Sequence, residues 1–403
     1  MSILTETNSP DRWQEFLLYK TEKSHISKRD EIFLKDFIEN QKYKTITEKI
    51  IIHENYCFSI PVKRLLNRHG KSKKRVIYTF SETENIVLKL ITHLLYRYDN
   101  TQPANCYSFR RHFGAKKAIT ALIRDDGGKK YSCKIDIRDY FNKIDVELLM
   151  PILNAVLCDD RPLFEFLKKL LTADKAVFNN ETITEKRGAM AGTPISPFLA
   201  NIYLAEMDRF FLNSGIPYAR YSDDIIFFTD TMETLDEYLL TVKNFLGKYH
   251  LEINHEKVKI TEPGQAWEYL GISFGSGKTG LSRATVKKIK GKIRRKARSI
   301  YRWKIRKNAD NEKAMRVFAR VLNRKFFGGN DIDFTWTRWF FPLINTDSDL
   351  KEIDAYIQEY MRFICTGRFS RTNFRTRYND LKNCGYKNLV NEFYKYKQDR
   401  TGQ

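Results

Sequence analysis

Residues 220–229 read RYSDDIIFFT, so two adjacent carboxylates, Asp223 and Asp224, run directly into the apolar stretch Ile225-Ile226-Phe227-Phe228. A charge set against a buried segment costs free energy unless it is paired, solvated or bound to a cation. Strand-forming residues flank Ser222-Asp223-Asp224, and Ser and Asp accept local backbone hydrogen bonds in turns. The stretch therefore predicts a tight hairpin with carboxylates at its tip and a counter-charge waiting for them.

Two segments upstream complete a constellation. In KKYSCKIDIRDYFNKID, residues 129–145, Tyr131, Cys133, Ile135 and Ile137 alternate with Ser132, Lys134, Asp136 and Arg138. That period of two predicts a strand with one buried face and directs Asp136 away from the core. In AGTPISPFLANIYLAEMDRFFLNSG, residues 191–215, Ser196 can cap a helix with Pro197 in its first turn. Leu199, Tyr203, Leu204, Met207 and Phe211 form its apolar stripe, and Gly215 offers a stop. If the strand and the hairpin are sheet neighbours, Asp136, Asp223 and Asp224 converge. Three clustered carboxylates repel one another, and two Mg²⁺ ions, which prefer carboxylate and phosphate oxygens, remove that repulsion. Such a pair of ions serves phosphoryl transfer. Taken singly, each piece has an ordinary reading as a surface Asp or as turn chemistry; the joint occurrence carries the argument.

The composition agrees. With 71 Lys+Arg against 49 Asp+Glu, the net charge of +22 attracts polyanions, nucleic acid first. No apolar run approaches the ~20 residues of a spanning helix. The start MSILTETNSPDRWQEF has no basic segment leading into an apolar one, so a cytoplasmic protein without membrane association is expected. Six scattered cysteines include no C-x-x-C, which implies neither zinc nor catalytic thiols. Residues 1–65 predict a helical extension, with Ile32, Phe33, Phe37 and Ile38 near helical spacing. Residues 66–280 alternate helix and strand. Residues 281–325 contain a segment, 283–307, with thirteen basic residues and no acidic one, and after Gly328-Gly329 residues 326–403 are aromatic and helical. The basic segment also has a plain reading as a solvated helix face.

YSDD followed by four apolar residues resembles the YxDD motif of reverse transcriptases, and its surroundings resemble that family's blocks in order: KKRVIYTFSETENIV, CYSFRRHFGAKKAI, KIDIRDYFNKID, AGTPISPFLANIYLAEMD, HLEINHEKVKI and WEYLGISF. The resemblance covers about residues 66–280. It implies an α+β right-hand polymerase: fingers, a palm whose antiparallel sheet carries the YxDD hairpin, a helical thumb, and here a C-terminal helical region. It implies that Asp136, Asp223 and Asp224 bind two Mg²⁺, with Mn²⁺ as the alternative. It makes Lys257 the proton donor to departing pyrophosphate, although a solvated strand-end lysine is its plain reading. Phe141 becomes the ring that excludes a 2′-hydroxyl. Lys74, Arg75 and Arg110 are assigned to the nucleotide, beside Ala191 and Gly192. Lys287, Lys288, Lys292, Arg294, Arg295 and Arg298 are assigned to the nucleic-acid backbone. Where the family usually has Gln before the Gly of its turn, this chain has Ala191, which puts sugar discrimination, fidelity or processivity in question but leaves the metal chemistry intact.

Within the family, the chain looks similar to bacterial reverse transcriptases of the group II intron-like and anti-phage defence kinds, and less like retron enzymes, whose VTG signature is only faintly echoed in KTGLS. The resemblance implies a structured non-coding RNA as template, dNTPs as substrates, a cDNA product, and a partner protein or second copy. The rival reading is an RNA-binding scaffold of the intron-maturase type with secondary polymerase activity; an RNA-dependent RNA polymerase is a third. Trp336, Trp339, Phe340 and Phe341 suit core packing, with stacking on single-stranded RNA as the alternative.

Overall fold

The computed structural model describes residues 1–23, 26–52, 56–67, 74–126, 130–328 and 336–401. Contacts divide the chain into two compact units of mixed helix and sheet, the second beginning at Gly264 and also taking in residues 26–27. Gly329, half of the expected Gly-Gly break, lies outside the described residues, while Gly328 at φ +78° ends the helix before it.

The first unit opens with helices. Lys28–Glu39 forms as its periodicity predicts, but it buries Leu34, Phe37 and Ile38 and leaves Ile32 exposed. The core here gathers around Trp13, which stacks on Tyr43 at 4.9 Å and donates its indole N–H to Thr7 O at 2.7 Å. Eight strands follow: β1 (Val62–Leu66), β2 (Arg75–Thr79), β3 (Tyr131–Asp136), β4 (Lys175–Phe178), β5 (Glu181–Thr184), β6 (Tyr218–Tyr221), β7 (Asp224–Thr229) and β8 (Lys259–Thr261). They make two sheets, ordered β2-β1-β4-β5 and β6-β7-β3-β8.

The second sheet positions the site, and its neighbouring strands are all antiparallel. Ile225, Ile226, Phe227 and Phe228 are all buried, because β7 is an inner strand covered on both faces. A continuous apolar run is what such a strand requires. The helix Met232–Lys248 packs on β3 and β7.

The expected helix from Ser196 to Gly215 is two helices, Ser196–Tyr203 and Ala205–Asn213, broken at Leu204. Ser196 is not its cap: its hydroxyl donates back to Thr193 O at 2.9 Å. The predicted stripe of Leu199, Tyr203, Leu204, Met207 and Phe211 is nevertheless fully buried, so the core tolerates the break.

In the second unit, β9 (Trp267–Tyr269), β10 (Ile272–Gly275) and β11 (Lys278–Leu281) form an antiparallel sheet. The basic segment is one helix, Arg283–Lys307, capped by Ser282, which accepts from Thr285 N, and buried along Val286, Ile289, Ile293, Ala297 and Ile300. It is followed by the helix Asn311–Phe327 and by Ser348–Thr366. Phe340 and Phe341 are buried, with Trp336 4.8 Å from Phe340 and Phe341 5.2 Å from Phe393, so these aromatics pack the core.

Candidate active site

The hairpin forms as the sequence predicts. Tyr221 pairs with Asp224, and Ser222, at φ +63°, makes the first corner of the turn that holds Asp223. In the neighbouring register Asp136 stands opposite Asp224, and Ile137 N–H donates to Asp223 O at 3.0 Å. The three carboxylates thus share one end of the β3–β7 pair. Asp136 is not a surface residue of a polar face: it is buried, at the floor of the site.

The counter-charges are lysines. Lys257 Nζ lies 2.5 Å from Asp136 Oδ2, with Asn254 Nδ2 donating to Oδ1 at 3.2 Å. Lys134 Nζ is 3.9 Å from Asp224 Oδ1. They do not fully offset the cluster. Burial, then the charges of Asp224 and Asp136, push the Asp223 carboxyl above its usual range. Burial also raises Asp224, with Lys134 opposing and Asp136 reinforcing the shift. Among the described residues, no three His, Cys, Asp or Glu side chains stand ready to hold a cation, and Asp136 is turned onto Lys257 and Asn254. The donor set still fits a hard divalent ion: oxygen donors only, partly desolvated, with carboxyls destabilised by their own proximity.

A second group adjoins β2. Phe141, half-buried in the short helix Tyr140–Lys143, accepts Ala189 N–H at its carbonyl (2.8 Å). Asn142 Oδ1 accepts Ala191 N–H at 3.2 Å, and Ala191 O accepts Tyr78 N–H at 2.8 Å. Gly192 sits at φ +100°, and a Cβ there would come within 2.9 Å of Ile77 Cβ, so only glycine allows the turn to lie against β2. Phe141, Ala191 and Gly192 are thereby brought together. The Ala191 side chain is buried, while Lys74 and Arg75 are exposed where β2 begins.

Arg110 is a correction. It is buried, and its guanidinium donates to Asp99 O (2.8 Å), Gln102 O (3.2 Å), Pro103 O (2.6 Å) and Cys106 O (2.8 Å). With these donors committed, it braces a loop and is not presented to a nucleotide. The six basic residues assigned on Arg283–Lys307 are all exposed, in the second unit.

The frame that holds the hairpin joins residues far apart in the sequence. Ser222 N–H donates to Ser108 Oγ at 3.0 Å, Ser108 Oγ donates to Asn201 Oδ1 at 2.9 Å, and Asn201 Nδ2 returns to Ser108 O at 2.7 Å. Beneath lies a fully buried ion pair. Arg220 reaches Asp208 with Nε (2.8 Å) and Nη2 (2.5 Å), and also Asn201 O (3.0 Å) and Ser222 O (3.3 Å), while Tyr218 OH donates to Asp208 at 2.8 Å. The signal was present in the SFR, LAN and EMD residues of the quoted blocks and in the Arg directly before YSDD, but no periodicity links positions about a hundred apart.

A family model described as reverse transcriptase (RNA-dependent DNA polymerase) matches residues 63–274, just over half of the chain. Among curated proteins, the Retron Ec83 reverse transcriptase of Escherichia coli is 30% identical over 164 residues, 38% of this chain and 51% of that protein. The group II intron-encoded protein LtrA of Lactococcus lactis is 25% identical over 193 residues, 47% of this chain and 32% of that protein. A retron enzyme thus stands beside the intron protein, against the expectation that retron enzymes are the less similar. The chain spans about half or less of the length of these relatives. Among solved structures, apo telomerase from Candida Tropicalis aligns with a TM-score of 0.46 and 13% identity, over 76% of this chain and 64% of that one.

Proposed function

The chain belongs to the reverse transcriptase (RNA-dependent DNA polymerase) family, and from that premise we propose that it copies an RNA template into DNA. The observation that carries this reading is Asp136 facing Asp224 across β3–β7, with Asp223 on the adjoining turn. In this reading β6-β7-β3-β8 is the palm sheet, β2-β1-β4-β5 belongs to the fingers, 281–325 is the thumb, 1–65 an extension and 326–403 a further helical region. Asp136, Asp223 and Asp224 are the residues that would hold two Mg²⁺ or Mn²⁺ ions, whose chemistry when bound is to activate an attacking oxygen and stabilise a leaving one.

The bond formed joins the primer 3′-oxygen to the α-phosphorus of a dNTP, and the bond broken releases pyrophosphate. Lys257, held on Asp136 Oδ2, is the proton donor to the departing pyrophosphate. Phe141, fixed by the main-chain contacts of the 188–192 turn, floors the sugar and excludes a 2′-hydroxyl, so Phe141→Ala raises ribonucleotide incorporation roughly tenfold or more while DNA synthesis persists. Unchanged discrimination removes the role. Lys74 and Arg75 take the triphosphate, and the exposed cations of Arg283–Lys307 take the nucleic-acid backbone.

The template in this reading is a dedicated structured RNA of a bacterial anti-phage system acting in the cytoplasm, supported by the resemblance to defence enzymes and by the similarity to a retron reverse transcriptase. No helix among the described residues is long and apolar enough to cross a membrane. The test is to purify wild type and Asp223→Asn/Asp224→Asn with native flanking DNA present and to sequence the co-purifying nucleic acid. One defined RNA in both, with complementary DNA only in wild type, is expected. The same RNA with no wild-type-dependent DNA, at rest or during infection, returns the protein to the scaffold reading.

A further inference from the structure

Charge is distributed unevenly along this chain. Residues 1–263 hold 40 basic and 36 acidic residues, a net of +4, whereas residues 264–403 hold 31 and 13, a net of +18. The basic helix Arg283–Lys307 accounts for thirteen of those 31. A second concentration lies on the helix Asn311–Phe327, most of which falls within the 281–325 thumb but whose cations have been given no contact.

Lys313, Arg316, Arg320 and Arg324 recur at intervals of three, four and four and are all exposed. Residues at this spacing share one face, and steps of four advance about 6 Å along the axis. The opposite face, Met315, Phe318, Ala319, Leu322 and Phe326, is buried and anchors the helix. Arg316, Arg320 and Arg324 line one side of an open groove of about 580 Å³, with Asn383 and Gly385 among the residues of the other side. That side is tied down: Asn323 Nδ2 donates to Gly385 O at 2.7 Å. Two acids stand near. Glu312 pairs with Arg316, and Asp380 accepts Arg377 N–H at 2.7 Å in the cap of its own helix. On the neighbouring basic helix, burial lowers the pKa of Lys292, and so do the like charges of Lys325, Lys288 and Arg295. The positive field therefore continues from one helix to the next.

We infer that this groove, with Arg316, Arg320 and Arg324 as its contacts, is a second binding track for the phosphate backbone of RNA, additional to the Arg283–Lys307 helix. A guanidinium presents a planar fork that fits phosphate oxygens, and a row of them in a wide groove matches a repeating anion better than a single small one. The inference rests on the RNA-handling reading given above. It names what would hold the length of a structured RNA that the polymerising site does not engage.

The test uses full-length protein and a labelled long RNA hairpin, with affinity measured against salt. Arg316→Ser/Arg320→Ser/Arg324→Ser is expected to lower the slope of log affinity against log salt by about 2 and to weaken binding roughly tenfold at moderate salt, since each lost phosphate contact removes about 0.7 to 0.9 of slope. The corresponding triple Lys variant, which keeps the charge, retains most of the slope. Arg320→Ser alone lowers it by about 0.7, which keeps the test alive if the triple variant folds poorly. Extension of a short pre-annealed primer–template stays at the wild-type level. Slope and affinity unchanged in variants with wild-type melting temperature overturn the inference and leave the stripe to a protein partner. Competition by inorganic phosphate as strong as by RNA also overturns it, because a single-anion site then suffices. Failure of wild type to extend any primer breaks the polymerase reading instead and leaves the slope comparison intact.

Discussion

The two regions of this chain differ in how they use arginine: among the described residues only the part up to Pro263 buries any, although it also exposes Arg75 and others. Up to Pro263, Arg110, Arg187 and Arg220 are buried, their guanidiniums turned inward onto main-chain carbonyls or Asp208. Beyond Gly264, Arg294, Arg295, Arg298, Arg316, Arg320 and Arg324 are exposed. A buried guanidinium fixes backbone geometry, because at low dielectric its hydrogen bonds are strong and an orphaned partner is costly. An exposed one contributes field and phosphate contacts, which salt screens. Net charge alone does not distinguish the two; salt dependence does.

The sharpest way to break the comparison is Asp208→Asn, which leaves Arg220 charged and buried. It should cost about 3–5 kcal/mol of unfolding free energy, read by denaturant titration and unchanged between low and high salt. A loss that disappears in high salt would put Arg220 with the exposed class.

Ser108→Ala comes next. It removes the acceptor of Ser222 N–H beside the carboxylates, and an unpaired buried donor costs about 1–3 kcal/mol. Because the change falls on the turn carrying Asp223, kcat should fall roughly tenfold with KM little altered, and Ser108→Thr should restore part of it. Equal loss in both kinetic constants, or none, would reduce the frame to ordinary packing.

On the basic side, Lys288→Ser/Lys292→Ser should leave the melting temperature at the wild-type value and lower the salt slope of primer–template binding by about 1 to 2. A melting shift with no slope change would reverse the assignment.

An effect confined to acid pH is expected at His93, where the first unit excludes a charge. Burial, then Arg111 and Lys20, lower its pKa to about 4, and Arg111 Nη2 is 3.1 Å from Nε2. A depressed folded value means that the neutral ring's contribution is complete above the unfolded value near 6.5 and is lost as pH falls from there toward 4. Wild type should therefore lose more melting temperature than His93→Gln between pH 7 and pH 4.5. Parallel curves would exclude it.

Some of this was legible residue by residue. The hairpin, the strand ending at Asp136, the buried run of β7 and the basic helix all follow from local pattern, since turn chemistry and periodicity act over a few residues. Other features were not. Ile32 obeys helical spacing yet faces solvent, because Leu34 is the residue that meets the core. The helix break at Leu204 leaves no mark in the apolar stripe. Arg110 sits in a block whose resemblance placed it at a nucleotide, and four carbonyls of its own loop claim it instead.

What the sequence alone determined is the set of chemical groups and their local geometry: which carboxylates stand on a strand and on a turn, and which face of a helix is charged. Only the tertiary structure decided which of them meet. The pairing of Asp136 with Asp224, the Ser108–Asn201–Ser222 frame and the Arg220–Asp208 pair depend on strand register and on burial, both set by packing between distant segments.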